Sequence, residues 1–548
     1  MSRAQRVPST AWFSPARPSP QLSWWGWGDP EQVPDFPAEV LALLSQGLGV
    51  TSSRPRPSSP ALIPLRLAPA LVAQLDQLVG SDYATSDHET RLRHALGRST
   101  PDLLRLHTGV PLPAPDLVLA PESHEQIARL LQIASAQRIA LTPFGGGTSV
   151  VGGLTPETER FQGWVALDLR RLDALVALDE ESRVAVLQPG LRGPQAEGLL
   201  ADRGYTIGHF PQSFQYATMG GFAACSSGQA SAGYGRFDEL VLGLRVATPA
   251  GTLTLGRAPR SAAGPDLRQL MLGSEGALGV ITELSVAVRP TPHERIYEGW
   301  RLPSFSQGAV VLRRLVQDGP VPTVARLSDE TETALNLSRP GELGRGAAGG
   351  CLTILGYEGP AGATRRRADA AATVLRDAGG EGDPAAGEAW ERERYEGPYL
   401  RDALLEAGAV VETLETATFW STLESLYTAV GAALREALSA QGTPPVILCH
   451  ISHVYPACAS LYFTVGCASL ADPLTQWSAA KAAASDAILA AGGSISHHHG
   501  VGRNHLRWYE QEIGPLGMAA LRAVKAELDP PGILNPGILI TGGEHGRR

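Results

Sequence analysis

The chain has 548 residues, 43% of them hydrophobic, and carries 46 Lys and Arg against 55 Asp and Glu, a net charge of −9. This globular balance excludes a wholly disordered chain, and the acidic excess argues against a nucleic-acid protein. Five cysteines with no C-x-x-C pair exclude a disulfide scaffold and a cysteine zinc cluster, and no apolar run is long enough to span a bilayer.

The first 60 residues hold ten of the 42 prolines, together with Trp12, Trp24, Trp25 and Trp27. Proline this dense blocks regular structure, so the segment is expected to wrap over a folded body with WWGWGDP as its anchor. It has no apolar core of signal-peptide length, which makes a cytoplasmic protein the expectation. Residues 61–108 predict short helices, as in PALVAQLDQLVG. From Leu117 a strand LVLAP precedes Ser123 and Gln126, a capping-box pattern. The helix that follows puts Ile127, Leu130, Leu131 and Ala134 on one face. Strands IALTP, WVALDL, RVAVLQPG and ITELSVAVRP continue the mixed texture over 110–292.

Residues 293–485 form a second unit. CLTILGYEG, PVILCHISHVY and SLYFTVGC predict strands. ATRRRADAAATVLRDAGG and FWSTLESLYTAVGAALREALSAQG predict helices ended by glycine. The Gly-, Pro- and charge-rich span 376–400 predicts a mobile loop. A C-terminal unit, 486–541, carries the SISHHHGVG turn between helices, and 542–548 is a tail. The expected fold class is α+β, with 1–109 as the wrap.

Three segments offer backbone donors and little side-chain bulk. Five glycines fall within the nine residues 145–153, in the run Gly145-Gly146-Gly147-Thr148-Ser149-Val150-Val151-Gly152-Gly153, where backbone N–H groups can crowd round a phosphate or pyrophosphate. The spacing is neither that of an ATPase P-loop nor G-x-G-x-x-G. The second segment runs from Gly208-His209 through Pro211-Gln212-Ser213 to Thr218 and Gly220-Gly221. The third is Ser274-Glu275-Gly276-Ala277-Leu278-Gly279-Val280-Ile281.

In this order the three segments resemble the FAD-binding domain of the p-cresol methylhydroxylase and vanillyl-alcohol oxidase superfamily. With the WWGWGDP cluster, Gly208-His209, Leu461-Tyr462-Phe463 and Ser496-His497-His498-His499-Gly500-Val501-Gly502, the chain is most similar to the alkyldihydroxyacetonephosphate synthase family. The resemblance implies a two-part FAD-binding domain, a cap domain carrying the substrate pocket, and a C-terminal segment closing over the flavin. FAD would be held non-covalently by residues 145–151, by Pro211, Gln212, Ser213, Thr218, Gly220 and Gly221, and by 275–281, with Ala277 where a threonine is common. It also implies exchange of the acyl group of an acyl-dihydroxyacetone phosphate for a long-chain alcohol in ether-lipid synthesis. Flavin N5 would be the electrophile, with no net redox.

The same resemblance gives the catalytic set: Tyr462, His497, His498, His499 and His209. Alternation turns Leu461, Phe463 and Val465 to one face and Tyr462 to the other. As an acid–base residue, Tyr462 needs a phenol lowered well below about 10 by a cationic neighbour. If the histidine run is extended, His497 and His499 share a face with His498 opposite. No metal is expected there, because carboxylate or cysteine partners are not at a recognised spacing. A hairpin centred near Ala457 sets Ser452 opposite Tyr462, with His450 as a diagonal neighbour. Arg326, His450 and Ser452 are the substrate-binding candidates, Arg326 matching a family arginine near the flavin. His450 stands where animal-type synthases have an arginine, which leaves a FAD-linked 2-hydroxy-acid dehydrogenase or oxidase as the alternative. The expected partners are a small or lipid-like substrate and a second copy in a homodimer, with peripheral membrane contact and no nucleic acid.

Overall fold

In the computed structural model the described residues are 22–33, 36, 38–229, 232–335 and 349–541. Trp12 and the tail 542–548 lie outside them. No helix among them is long and apolar enough to cross a membrane.

The first sheet contains β1 (Ala84–Thr85), β2 (Leu117–Leu119), β3 (Ile139–Phe144) and β4 (Gly163–Asp168), in the order β1-β2-β4-β3. The β2-β4 and β4-β3 pairs are parallel, and helix His124–Gln137 makes the β2-to-β3 crossover. Ser123 caps that helix by accepting from the Gln126 N–H at 3.1 Å. The Gln126 side chain reaches back to Glu122 N instead of Ser123. Next in chain order come β5 (Leu175–Asp179), β6 (Val184–Leu187), β7 (Tyr205–Thr206), β8 (Val241–Thr248), β9 (Gly251–Leu255), β10 (Val280–Ala287) and β11 (Arg289–Pro290). Five of them form an antiparallel sheet ordered β5-β6-β10-β8-β9, and β7 pairs with β11. These are the two halves of the α+β nucleotide-binding body.

The remaining strands are β12 (Glu294–Leu302), β13 (Val324–Ser328), β14 (Cys351–Gly359), β15 (Glu381–Asp383), β16 (Ala409–Phe419), β17 (Val446–Val454) and β18 (Cys458–Ala468). They make one antiparallel sheet ordered β15-β12-β14-β13-β17-β18-β16. One face is apolar. Ala325, Leu327, Cys449, Ile451, Leu461 and Phe463 join the core formed with helices Phe305–Gln317, Ala363–Asp377, Leu423–Ser439 and Pro473–Ala490. Helix Phe305–Gln317 shows why: Phe305, Gly308, Val311, Leu312, Leu315 and Val316 are buried at helical spacing. Strand alternation then leaves Arg326, His450, Tyr462, Thr413 and Glu415 on the opposite face.

The span 376–400 is ordered rather than a loop. It contains β15, helix Pro384–Glu393 and the start of helix Gly397–Glu406. Its prolines, Pro384 and Pro398, sit in the first turn of a helix, where a missing N–H costs nothing. The second of these helices anchors the N-terminal wrap, since Asp402 accepts the Trp27 N–H. The fully buried Arg98 guanidinium donates to the carbonyls of Ser23, Gly26, Leu96 and Gly97. Helix Pro473–Ala490 runs across the 485/486 division expected from the sequence. After the histidine turn and helix Leu506–Leu528, the chain returns to the nucleotide-binding body. Leu534 bridges Leu141, and Ile538, Leu539 and Ile540 pack into its core.

Candidate active site

A cavity of about 300 Å³ lies between the nucleotide-binding body and the polar face of the seven-stranded sheet. All three glycine segments reach it, through Gly145–Val150, through Pro211, Gln212, Ser213, Thr218, Gly220 and Gly221, and through Glu275, Gly276, Gly279 and Ile281. Arg326, His450, Ser452, Tyr462, His498 and His499 line its other side. Val151, Ala277, Leu278 and Val280 do not line it; they are buried behind it.

The glycines pack closely. A Cβ on Gly146 would stand 2.0 Å from the Tyr216 carbonyl oxygen, and one on Gly145 would stand 2.3 Å from Thr218 Oγ1. The left-handed turn belongs to Gly147, at φ +71°. In the third segment Glu275 and Gly276 both have positive φ, and the Glu275 carboxylate accepts the Val501 and Gly502 N–H groups. Burial pushes that carboxyl up to about 7. Asn535 Nδ2 donates to the carbonyls of both Gly153 and Glu275, so the C-terminal segment clasps two of the three loops.

On the sheet side the hairpin register differs from the expected one. His450, not Ser452, pairs directly with Tyr462. A bulge between Ile451 and Val454 absorbs the difference and brings both Ser452 and His453 to the cavity. The His450 and Tyr462 rings stack at 4.8 Å. Arg326 donates to His450 Nε2 at 3.1 Å and to Glu332, while His450 Nδ1–H donates to Glu332 Oε2 at 3.0 Å. Burial, and then the Arg326 charge, lower the His450 pKa.

Residues 497–499 are not extended. They curl round the buried Glu415 carboxylate, which accepts the backbone N–H groups of His497, His498 and His499 at 2.7, 2.9 and 2.8 Å and the Ser496 hydroxyl at 2.7 Å. Burial opposes ionisation of Glu415. The facing histidines and these donors outweigh it and hold the carboxyl well below its ordinary range. The curl turns His498 and His499 into the cavity and His497 away from it, against Tyr455. The alternation expected for the run therefore does not hold.

Two further expectations are corrected. His209 does not line the cavity; it is packed between Phe222 and Phe237 with Nε2 on Ser227 Oγ, and burial lowers its pKa to about 3. The Tyr462 phenol is not lowered. Burial, with the Glu412 and Glu415 charges, raises it to about 12 and outweighs the Thr413 hydrogen bond and the Arg326 charge, which act the other way.

A family model described as "FAD binding domain" matches residues 115–256, and one described as "FAD linked oxidases, C-terminal domain" matches residues 291–539. An alkyldihydroxyacetonephosphate synthase of Dictyostelium discoideum is 33% identical over 87% of this chain and 82% of its own length. The chain belongs to the alkyldihydroxyacetonephosphate synthase family. A solved synthase structure of that name superposes with a TM-score of 0.81 at 29% identity, covering 94% of this chain and 98% of the other. The fold alone is shared with p-cresol methylhydroxylase, at a TM-score of 0.66 and 14% identity over 86% and 96%.

As in other flavoenzymes of this class, the cofactor is FAD. The cavity suits it on local grounds. Its first wall is glycine backbone, Gly221 has open space where a Cβ would stand apart from Thr218 Oγ1 at 3.4 Å, and Arg326 Nε and His453 Nε2 are buried without a hydrogen-bond partner among the described residues.

Several residues of this candidate site are not singled out by the sequence. Arg394, the cap residue after helix Pro384–Glu393, and Arg401, in helix Gly397–Glu406, line the cavity. Thr413, Glu415 and His453 come from strands β16 and β17. One signal was available for Glu415: AVVETLETATF is a strand-length run, and a carboxylate inside a buried strand requires donors.

Proposed function

We propose that this enzyme exchanges the acyl group of an acyl-dihydroxyacetone phosphate for a long-chain alcohol, with no net oxidation or reduction. The observation that carries the reading is the single cavity in which three glycine segments face Tyr462, His498, His499 and Arg326, in a chain of the synthase family. FAD would rest on Gly145–Val150, on 211–213 with Thr218, Gly220 and Gly221, and on Glu275, Gly276, Gly279 and Ile281. Bound there, FAD supplies an electron-poor ring able to take up and release an electron pair.

The chain's own residues do the rest. Arg326, with its buried unpartnered Nε, and Arg394 supply positive charge for the substrate phosphate. His498 accepts the proton of the carbon beside the substrate carbonyl at Nε2, because its Nδ1 faces Glu415 Oε2 at 3.4 Å. That carboxylate stabilises the imidazolium formed, as a buried acid does behind a catalytic histidine. Tyr462, with a phenol near 12, stays protonated and donates a hydrogen bond to the substrate oxygen. The carboxylate of the outgoing fatty acid needs no proton to leave, and the incoming alcohol gives up its own. The lipid substrate favours peripheral membrane contact from the cytoplasmic side, and the reading includes a homodimer. Liposome co-sedimentation and solution mass test these two points.

The test is exchange of labelled hexadecanol into product by the flavin-replete enzyme without an electron acceptor. The dehydrogenase reading predicts the opposite pair of results: no exchange, and bleaching of the flavin by a 2-hydroxy acid under anaerobic conditions.

A further inference from the structure

At the cavity wall three imidazoles converge. His453 comes from β17, and His497 and His498 come from the histidine turn. One ring nitrogen of each lies within 4.8 Å of the other two. His497 Nδ1 and His498 Nδ1 are 3.0 Å apart, with their ring planes at 82°. His453 is 1% exposed, and its Nε2 is buried without a hydrogen-bond partner among the described residues.

The nitrogens that point away from this meeting place are held. His453 Nδ1 contacts Ser452 Oγ at 3.0 Å and Ser460 Oγ at 3.3 Å, and His497 Nε2 contacts Tyr455 Oη at 3.0 Å. Outer hydrogen bonds of this kind fix the ring orientation and tautomer of metal-binding histidines. Glu415, with Oε2 at 3.4 Å from His498 Nδ1, places a buried negative charge beside the cluster.

We propose that His453, His497 and His498 form a binding site for a divalent metal of the zinc class. Three imidazoles suit zinc, cobalt or nickel and do not suit magnesium or calcium. Metal–nitrogen bonds of about 2.0–2.1 Å in tetrahedral geometry put the donors about 3.4 Å apart. The His497–His498 pair already stands near that spacing, and the His453 donor lies within 4.8 Å of both. The fourth position opens toward the cavity, which His453 and His498 both line.

The consequence for activity rests on the proton-acceptor role given to His498 above. A metal on Nδ1 forces the proton of a neutral imidazole onto Nε2, so His498 can donate there and can no longer accept. The metal is therefore an inhibitor that can be removed.

The experiment uses the full-length, flavin-replete enzyme, stripped with EDTA, loaded with zinc chloride and passed through a desalting column. Metal analysis is expected to find one zinc per chain. His453→Gln is expected to keep its flavin-to-protein ratio and to retain less than a tenth of that zinc. X-ray absorption at the zinc edge of the wild-type enzyme, which needs no variant, is expected to show nitrogen donors and no sulfur. Retention of no zinc by the wild type, equal retention by His453→Gln, or a sulfur shell would each overturn the site. Zinc is also expected to lower exchange turnover at least tenfold, reversibly with EDTA. One bound zinc with full turnover would leave the site standing and remove His498 as the proton acceptor.

Discussion

His450 lies directly across the strand pair from Tyr462, their rings stacked 4.8 Å apart with an 18° angle between planes. His498 stacks on the same tyrosine at 6.2 Å, and His499 meets it edge-on at 5.5 Å. The phenol is thus enclosed by rings, and burial outweighs the Arg326 charge that would otherwise help make it a base.

Tyr462→Phe removes one oxygen from this enclosure and keeps every ring contact. Flavin content and melting temperature are expected to stay at wild-type values, while exchange turnover falls about 10²-fold, the scale of a lost hydrogen-bond donor to a developing oxyanion. With the phenol near 12, wild-type turnover should show no alkaline limb from this residue below about pH 10. A flavin-replete variant with wild-type turnover removes Tyr462 from the chemistry.

His450→Arg sets a second guanidinium beside Arg326, which already holds Glu332 and stands 3.1 Å from the His450 nitrogens. Two like charges about 4 Å apart at an effective dielectric of about 20 repel by about 4 kcal/mol before Glu332 offsets part of it. A lower melting temperature and at least a tenfold loss in kcat/KM are expected. Wild-type values in both would show that the pocket accommodates the arginine of the animal-type pattern.

Gly146→Val drives a side chain into the Tyr216 carbonyl, 2.0 Å from the Cβ position. The loop must leave the 211–218 segment, so flavin content is expected to collapse. Gly221→Ala, whose Cβ meets only Thr218 Oγ1 at 3.4 Å, should fold normally and lose FAD affinity alone. Equilibrium dialysis with FAD and thermal unfolding of each variant separate the two effects. Full flavin in folded Gly146→Val contradicts the loop assignment.

Glu275 gives a pH dependence with a definite sign. Its folded-state pKa of about 7 lies above the ordinary ~4.3 of a glutamate. The native protein keeps a proton that the unfolded chain releases, so this residue's contribution is full below about pH 4.3 and is lost as pH rises through about 7. Glu275→Gln removes the titration. Wild type should lose stability relative to the variant between about pH 5 and 8, by up to about 3 kcal/mol, measured by denaturant unfolding. A difference that does not change over that range contradicts the assignment.

The strands and their faces were legible because alternation at Leu461, Tyr462 and Phe463 and at Cys449, His450 and Ile451 needs no tertiary information. The register was not. The bulge between Ile451 and Val454 carries no glycine or proline of its own, so Ser452 was placed where His450 stands. The curl at 497–499 depends on a carboxylate 82 residues earlier in the chain, which no local pattern announces. The glycines, prolines and charges of 376–400 predict a loop, yet Pro384 and Pro398 sit in the first turn of a helix, and composition does not separate that placement from a helix break. The glycine segments were legible as a set because each exposes backbone. Their inner residues Ala277, Leu278 and Val280 belong to the core, and only the packed fold separates those from the residues facing the cavity.

A flavin site that performs group exchange without net redox turns over with no electron acceptor. The most direct test is anaerobic incubation of the flavin-replete enzyme with acyl-dihydroxyacetone phosphate and labelled hexadecanol, with no electron acceptor. Label in the product is followed together with flavin absorbance. Many turnovers per flavin, with the flavin oxidised at the start and at the end, is the predicted result. No label incorporation, with the flavin bleached after one equivalent of substrate is oxidised, would make the enzyme a dehydrogenase.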